Sequence, residues 1–258
     1  MTGDRSADKA RVALVTGGSG AIGAEVCTGF ARIGYDVAFT YRSNRVAAEK
    51  VRDEVLAIGR RCLLESVDLA ARDDVAAFVN SVSETLGGVD ALVHAAGPYP
   101  PQRYLGTVEP EVFARHVDQE LIGFFTVATL ALPHLRERRG SLTAVTTFAV
   151  RSYPPRDGLS SAPKAGVEGV VRALAAEEGR FGVRANCVGP GILADGLATA
   201  LTERGDFDDA ARKKVVQRIP LQRFGRATEV ADAVVFLGSD RASYISGQSL
   251  DVDGGYGV

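Results

Sequence analysis

The residues best suited to chemistry near the start of the chain form a glycine-rich turn, Thr16-Gly17-Gly18-Ser19-Gly20-Ala21-Ile22-Gly23. Glycines let a backbone turn sharply and approach a phosphate, and a helix that begins there offers free N–H groups and the positive end of its dipole. The turn therefore predicts a pyrophosphate-binding loop. The alternative is a tight strand-to-helix connection that binds nothing. The candidate contacts are Gly17, Ser19, Ala21, Ile22 and Gly23.

A second segment, Thr40-Tyr41-Arg42-Ser43-Asn44-Arg45, bears on the choice of nucleotide. A carboxylate at the end of the second strand would bind an adenosine ribose 2′-hydroxyl and repel a 2′-phosphate. This segment has no carboxylate but has two arginines, which can bind a phosphate in a bidentate manner. It therefore favours NADP(H) over NAD(H), with Arg42 and Ser43 as candidate contacts. In the alternative interpretation, the arginines only form the solvated start of a helix.

The elements that must position these residues alternate between short apolar runs and amphipathic segments. The predicted strands are Arg11–Thr16, Asp36–Tyr41, Cys62–Val67, Val89–His94, Ser141–Thr147, Val183–Val188 and Gln248–Val252. The predicted helices are Ala21–Ile33, Arg45–Ile58, Asp73–Leu86, Glu109–Arg138, Ser161–Arg180 and Thr228–Leu237. Strands that alternate with crossover helices predict one doubly wound, Rossmann-type α/β domain with a parallel sheet of about seven strands. We expect this nucleotide-binding domain over residues 11–258, after a flexible tail of residues 1–10.

Two long loops, Gly97–Val108 and Gly189–Asp208, follow predicted strand ends. In open α/β sheets ligands bind in the crevice at the carboxyl ends of the strands, so these loops are predicted to line a substrate pocket. Apolar side chains in the second loop indicate a hydrophobic or acyl-like substrate, or else helix core. They are Ile192, Leu193, Leu197 and Leu201.

Composition argues against several classes of protein. A formal net charge of −2 over 258 residues builds no strong field for nucleic acid. Three widely spaced cysteines and three histidines show no spacing typical of a disulfide framework or a metal site. The longest apolar stretch is too short to cross a bilayer, and the polar N-terminus lacks the apolar core of a secretion signal. We expect a cytoplasmic protein that binds a small-molecule substrate and no metal, nucleic acid or membrane.

Taken together, these motifs resemble the short-chain dehydrogenase/reductase family over nearly the whole chain. Thr16, Gly17 and Gly23 match the family's TGxxxGxG turn, with Ala21 at the middle glycine. Leu92 to Gly97 resembles the NNAG strand end, Val67-Asp68 the adenine-binding aspartate, and Asn186 to Gly191 the NxxxPG segment. The C-terminal stretch is similar to that of bacterial ketoacyl-carrier-protein reductases. The resemblance implies a homotetramer and further cofactor contacts from Asp68, Leu69, Ala95, Ala96, Gly97, Lys164, Pro190, Gly191 and Ile192.

The resemblance also implies a catalytic tetrad, from which this chain departs. The family uses a tyrosine as acid/base, a lysine four residues later, an upstream serine and an asparagine on the preceding long helix. Lys164 matches the lysine, but Ser160 stands at the tyrosine position, Thr147 at the serine and Glu120 at the asparagine. A serine hydroxyl is a far poorer proton donor than a phenol of pKa about 10, and it is shorter.

Each of these positions also has an ordinary structural interpretation. Ser160 could cap the helix that contains Pro163, and Thr147 could be a plain strand residue. Glu120 could be a new acid/base or a solvated helix residue. Lys164 could be a surface lysine. Asp195 could bond the nicotinamide carboxamide or cap a loop.

Tyr153, between Thr147 and Lys164, is a candidate substitute proton donor. The stretch around Lys164 resembles that of 2,4-dienoyl-CoA reductases, in which the tyrosine also comes from an upstream segment, but their tyrosine position is Ala149 here. In the alternative, Tyr153 is a loop aromatic packed beside two prolines.

The sequence thus predicts an NADP(H)-dependent oxidoreductase of the short-chain type that reduces a carbonyl or enoyl substrate with a non-standard proton donor. The alternatives are a non-redox enzyme (a dehydratase, isomerase or cyclase) and a catalytically inactive nucleotide-binding homologue.

Overall fold

A parallel sheet lies at the centre of the structure, a computed structural model that describes residues 10–195 and 209–258. Its strands are β1 (Val12–Thr16), β2 (Asp36–Tyr41), β3 (Cys62–Ser66), β4 (Ala91–His94), β5 (Ser141–Val145), β6 (Arg184–Pro190) and β7 (Ser249–Val252). They pair in the order β3-β2-β1-β4-β5-β6-β7, and every pairing is parallel. The predicted Rossmann-type α/β fold is confirmed. The strand order reverses between β1 and β4, so the ligand crevice of this fold lies at their carboxyl ends.

Helices cover both faces of the sheet. They are α1 (Ala21–Arg32), α2 (Arg45–Ala57), α3 (Arg72–Leu86), α4 (Pro110–Val117), α5 (Gly123–Arg138), α6 (Ala149–Ser152), α7 (Gly158–Glu178), α8 (Asp209–Arg218) and α9 (Ala227–Gly238). One core packs α3, α5 and α7 on the sheet, and the other packs α1, α2 and α9. Successive strand residues alternate between the two cores, as Leu14 and Val15 do. Because both faces are buried, the strands read as continuous apolar runs.

The prediction of one continuous helix over Glu109–Arg138 is wrong in the middle of that range. Helices α4 and α5 are separated by a π-helical turn over Asp118–Ile122. A π turn holds more residues than an α turn, so it rotates the following residues relative to the preceding ones, and such turns are frequent at functional sites. This turn buries Glu120, which is 4% exposed. The interpretation of Glu120 as a solvated residue is therefore wrong.

Helix α7 begins at Gly158, three residues before the predicted start at Ser161. Asp157 occupies the N-cap position, so Ser160 lies inside the first turn and is not the helix cap. Strand β5 ends at Val145, and the segment that follows includes the short helix α6. Pro163 lies inside α7, where its sequence position suggested a first helical turn.

Two predicted regions extend beyond the described residues. These are residues 1–9 of the predicted tail and residues 196–208 of the second loop, which include Leu197 and Leu201. Within the ranges 10–195 and 209–258, no helix is long and apolar enough to span a bilayer. The same ranges contain no group of three or more histidine, cysteine or acidic residues that could hold a metal ion.

Candidate active site

The glycine-rich turn connects β1 to α1 and packs on the end of β4. Gly17 has a φ of +72°, and a Cβ at this position would lie 2.7 Å from the Cα of Ala96. At Gly23 a Cβ would lie 2.2 Å from the carbonyl oxygen of Gly17. Both positions therefore require glycine. The N-cap residue of α1 is Gly20, and no side chain within residues 10–195 and 209–258 caps the helix. Its first N–H groups can therefore bind an anion.

Other residues of this turn are partly accessible. Ser19 and Ala21 are half-buried, and the Ile22 side chain packs against the core between the sheet and α1. Ile22 therefore contributes part of its side chain to the core.

The end of β2 adjoins the glycine-rich turn. The N–H of Gly18 donates to the carbonyl oxygen of Thr40 at 2.9 Å. Beyond this point Arg42 and Ser43 are exposed. Arg45 instead donates to Glu49 at 2.8 Å, and Asn44 caps α2 through the N–H of Ala47 at 3.0 Å. Among the described residues, the side chain of Arg42 makes no hydrogen bond or ion pair, so it is the arginine that is free to bind an anion there.

The end of β3 lies beside Arg42. The Ser66 hydroxyl donates to the carbonyl oxygen of Arg42 at 2.8 Å. Asp68 is exposed, and its carboxylate accepts a hydrogen bond from the N–H of Ala70 at 3.0 Å. Leu69 is half-buried and faces the start of α5, where a Cβ on Gly123 would lie 3.3 Å from Leu69 Cβ. The structure thus brings the predicted contacts at the ends of β1, β2 and β3 to one edge of the sheet.

The buried His94 contacts Thr16, the first residue of the glycine-rich turn. Nδ1 of His94 lies 3.0 Å from the Thr16 hydroxyl, whose oxygen also accepts a hydrogen bond from the N–H of Ala96 at 3.4 Å. Burial, and secondarily the charge of Lys164, lowers the pKa of His94 to about 3. The ring is therefore neutral at physiological pH. It meets Phe124 edge to face and holds the ends of β1 and β4 together.

Lys164 and Glu120 form an ion pair in the middle of the site. The Lys164 side chain is 14% exposed and that of Glu120 is 5% exposed, so neither is a surface group. The second oxygen of Glu120 lies against Gly97, where a Cβ would come within 2.8 Å of it. The carboxylate thus fills the space between α7 and the end of β4.

The hydroxyl groups of Thr147 and Ser160 are half-buried. Thr147 Oγ1 accepts a hydrogen bond from the N–H of Ala149 at 3.2 Å and so caps α6. The Ser160 hydroxyl makes no hydrogen bond within the described residues. Because Ser160 and Lys164 are four residues apart on α7, their side chains lie on one face of that helix.

Tyr153 is not brought into the interior of the site. It ends α6 with a φ of +46°, and the residue is 70% exposed. Nothing in the described part of the chain bonds its hydroxyl group. Pro154, beside it, is half-buried.

The segment after β6 lies across the sheet from the glycine-rich turn. Pro190 accepts a hydrogen bond from the N–H of Phe148 at 3.1 Å, and Gly191 donates to Val252 at 2.9 Å. Ile192 accepts one from Gly225 at 3.0 Å. Asp195 accepts a hydrogen bond from the N–H of Ala227 at 3.0 Å, so its carboxylate caps α9.

Two groups near Lys164 were missed by the sequence analysis. The carboxylate of Asp157 accepts a hydrogen bond from Gln102 Nε2 at 3.2 Å, and burial raises its pKa. His116 on α4 is half-buried near Glu120 and Lys164, and burial lowers its pKa. The spacing of Asp157 before Ser160 and Lys164 places all three on one helix face, but this signal required the true start of α7.

The chain is similar to known proteins along most of its length. Residues 17–257 match a family described as enoyl-(acyl carrier protein) reductase. The chain is 33% identical over 244 residues to the 3-oxoacyl-[acyl-carrier-protein] reductase FabG of Staphylococcus epidermidis. The match covers 94% of this chain and 97% of that relative. It is 32% identical over 246 residues to the L-fucose dehydrogenase of Oryctolagus cuniculus. The match covers 95% of this chain and 84% of that relative.

Solved structures of similar proteins superpose along most of the chain. Levodione reductase gives a TM-score of 0.91 at 26% identity, with 96% of this chain and 98% of the other covered. A carveol dehydrogenase from Mycobacterium avium, solved in complex with NAD, gives 0.89 at 25% identity, with 96% and 98% covered.

Proposed function

The chain belongs to the short-chain dehydrogenase/reductase family of oxidoreductases, and from this premise we propose that it is an NADP(H)-dependent reductase of carbonyl or enoyl substrates. The observation that carries the cofactor preference is Arg42. Its guanidinium is exposed beside the glycine-rich turn and pairs with none of the residues that the structure describes. The sequence has no carboxylate at the end of β2 to repel a 2′-phosphate.

The residues at the carboxyl edge of the sheet fit a dinucleotide. Gly17 and Gly23 leave no room for a Cβ, and the uncapped start of α1 offers N–H groups to a pyrophosphate. Arg42 and Ser43 would hold the adenosine phosphate, and Asp68 would bond the adenine. Ala95, Gly97 and the segment Pro190–Ile192 would border the nicotinamide half.

The chemistry would be divided between the cofactor and the chain. The nicotinamide supplies the hydride when bound. Lys164 would bind the nicotinamide ribose, and the carboxylate of Glu120 would fix the direction of its ammonium group. The half-buried hydroxyls of Thr147 and Ser160 would hydrogen-bond the substrate oxygen.

A proton donor other than a tyrosine at position 160 is part of this proposal. Ser160 lacks the acidity and the length of a tyrosine. Glu120 and Tyr153 are the other candidates from the sequence. Glu120 is held in its ion pair with Lys164, and Tyr153 is exposed.

Binding titrations with NADPH and NADH test the cofactor preference. We expect wild-type protein to bind NADPH more tightly, and Arg42→Ala to weaken NADPH binding about 10-fold or more while leaving NADH binding unchanged, because a charge-assisted bond to the 2′-phosphate is lost. Arg45→Ala is the matched control, since Arg45 already pairs with Glu49. Equal affinities for the two nucleotides, or equal effects of the two substitutions, would overturn the preference.

Turnover tests the activity itself. We expect oxidation of NADPH when acetoacetyl-CoA or crotonyl-CoA is supplied as a carbonyl or enoyl probe, and Lys164→Ala to abolish it. Ser160 at the tyrosine position favours the competing candidate, a nucleotide-binding homologue without redox turnover. Tight NADPH binding with no oxidation of NADPH on a panel of ketones and enoyl thioesters would support that candidate instead.

A further inference from the structure

We propose that Asp157, the N-cap residue of α7, is the proton donor of this enzyme and takes the functional place of the absent tyrosine. The proposal rests on the proposed reductase function, and it identifies a residue that the family resemblance does not supply.

The position of Asp157 is suited to this role. It precedes α7 at the carboxyl edge of the sheet and lies three residues before Ser160 and seven before Lys164. Residues at these spacings share one helix face. A substrate bound at the Ser160 hydroxyl would then lie within reach of the Asp157 carboxyl group.

The loop after β4 encloses Asp157. Gln102 Nε2 donates to the Asp157 carboxylate at 3.2 Å, and the guanidinium of Arg156 donates to the carbonyl oxygen of Gln102 at 3.1 Å. The N–H of Arg103 bonds the carbonyl oxygen of Arg156 at 3.1 Å. Leu105 packs so closely on Gly158 that a Cβ there would lie 2.4 Å from it. These contacts hold the loop after β4 against the start of α7, where Asp157 is half-buried.

Burial has a larger effect on the pKa of Asp157 than the surrounding charges have. Burial raises its pKa, while the hydrogen bond from Gln102 and the charge of Lys164 act in the opposite direction. The positive charge of Lys164 is compensated by the carboxylate of Glu120 in their ion pair. His116 of α4 lies near that pair with its own pKa lowered by burial, and Arg156 directs its guanidinium to Gln102. Burial thus shifts Asp157 toward the protonated form that a proton donor needs.

In the proposed step, a hydride and a proton are added to the substrate carbonyl group. The substrate carbonyl carbon gains the hydride from the reduced nicotinamide dinucleotide, which is oxidised. The π electrons of the carbonyl pass to its oxygen, which takes the proton from the Asp157 carboxyl group. Asp157 becomes a carboxylate and regains a proton from water, and the product is an alcohol.

The pH dependence of the reaction and of the free protein tests this assignment. Reduction needs protonated Asp157, so kcat for acetoacetyl-CoA should fall as pH rises through the pKa of Asp157. Asp157→Asn should lower kcat about 100-fold, remove this pH dependence and leave KM little changed. Asp157→Glu should keep part of the activity. Asp74→Asn, at the exposed start of α3, is the matched control and should change neither quantity.

Two further measurements do not depend on turnover by a folded Asp157→Asn variant. In nucleotide-free protein labelled with ¹³C at its aspartate carboxyl groups, one resonance that Asp157→Asn or Asp157→Glu removes should titrate above the ordinary aspartate range. Gln102→Ala removes a bond that stabilises the carboxylate, so it should raise that pKa and move the fall in kcat to higher pH.

The outcomes separate the two proposals. An active wild type whose kcat and pH profile survive Asp157→Asn, or whose profile does not move in Gln102→Ala, overturns the role of Asp157 alone. An Asp157 resonance that titrates in the ordinary range also overturns it. Failure of the wild type to reduce any carbonyl probe overturns the proposed function, and the role of Asp157 with it.

Discussion

At the scale of single residues, Glu120 shows how a site can be built from an unexpected side chain. Its carboxylate is buried between Lys164 and Gly97 rather than solvated. A buried charge is tolerated only when it is paired. Each member of the pair therefore stabilises the other, and the pair fixes the lysine ammonium group in the site.

Glu120→Gln should be strongly destabilising. It leaves Lys164 as a buried charge without its counter-charge, so we expect the free energy of unfolding to fall by roughly 3 kcal/mol in urea titrations. Glu49→Gln, which breaks the exposed pair with Arg45, is the control and should have a much smaller effect. Equal losses in the two variants would contradict the buried pairing.

At the scale of elements, the unit of β1, the glycine-rich turn and α1 depends on backbone geometry. Gly17 needs both a positive φ and the absence of a Cβ, because the backbone of Ala96 lies against it. Gly34, after α1, also has a positive φ of +93°, but nothing lies within 4 Å of a Cβ placed there. Substitutions at the two glycines therefore distinguish the effect of backbone strain alone, at Gly34, from strain combined with steric contact, at Gly17.

Gly34→Ala should cost about 1 kcal/mol of stability, the strain of a left-handed alanine. Gly17→Ala should cost more, since it adds a clash with β4, and it alone should weaken dinucleotide binding. Thermal unfolding and an NADPH titration of both variants measure these effects. Unaltered NADPH binding by Gly17→Ala would remove the turn from the cofactor site.

At the scale of the whole molecule, the two edges of the sheet have different roles. The carboxyl edge carries the candidate site, whereas the amino edge holds a buried structural carboxylate, Asp36, at the start of β2. Arg61 donates to Asp36 at 2.7 Å and also to the carbonyl oxygens of Thr85 and Leu86 at the end of α3. Arg60 pairs with Asp36 at 2.7 Å. These bonds join β2, β3 and α3.

Acid should weaken this junction. Burial disfavours the charged form of Asp36, but the hydrogen bonds from Arg61 and the charges of Arg60 and Arg61 outweigh it and lower its pKa. The group therefore stabilises the fold above its unfolded pKa of about 3.9, and this stability is lost as pH falls through the folded value.

Asp36→Asn should lower the free energy of unfolding by roughly 3 kcal/mol at pH 7, and the difference from wild type should shrink as pH falls. Urea unfolding between pH 7 and pH 2 measures it. The exposed Asp53→Asn is the control. A difference that stays constant with pH would show that the charge of Asp36 does not matter.

Local pattern was enough to predict the sheet, the glycine-rich turn and most helices, because each depends on periodicity or on one conformational need such as the positive φ of Gly17. It failed within Glu109–Arg138, where the apolar pattern runs unbroken through the π turn that buries Glu120. It also misplaced the start of α7, and with it the significance of Asp157.

The sequence by itself determined the Rossmann-type sheet, the site of the glycine-rich turn and the absence of a carboxylate at the end of β2. These features follow from residue type and short-range spacing. Only the tertiary structure decided that Lys164 meets Glu120, that Arg45 pairs with Glu49, and that Gln102 bonds Asp157. Such contacts join residues far apart in the chain or depend on the choice among competing partners, and they arise only when the strands and helices pack.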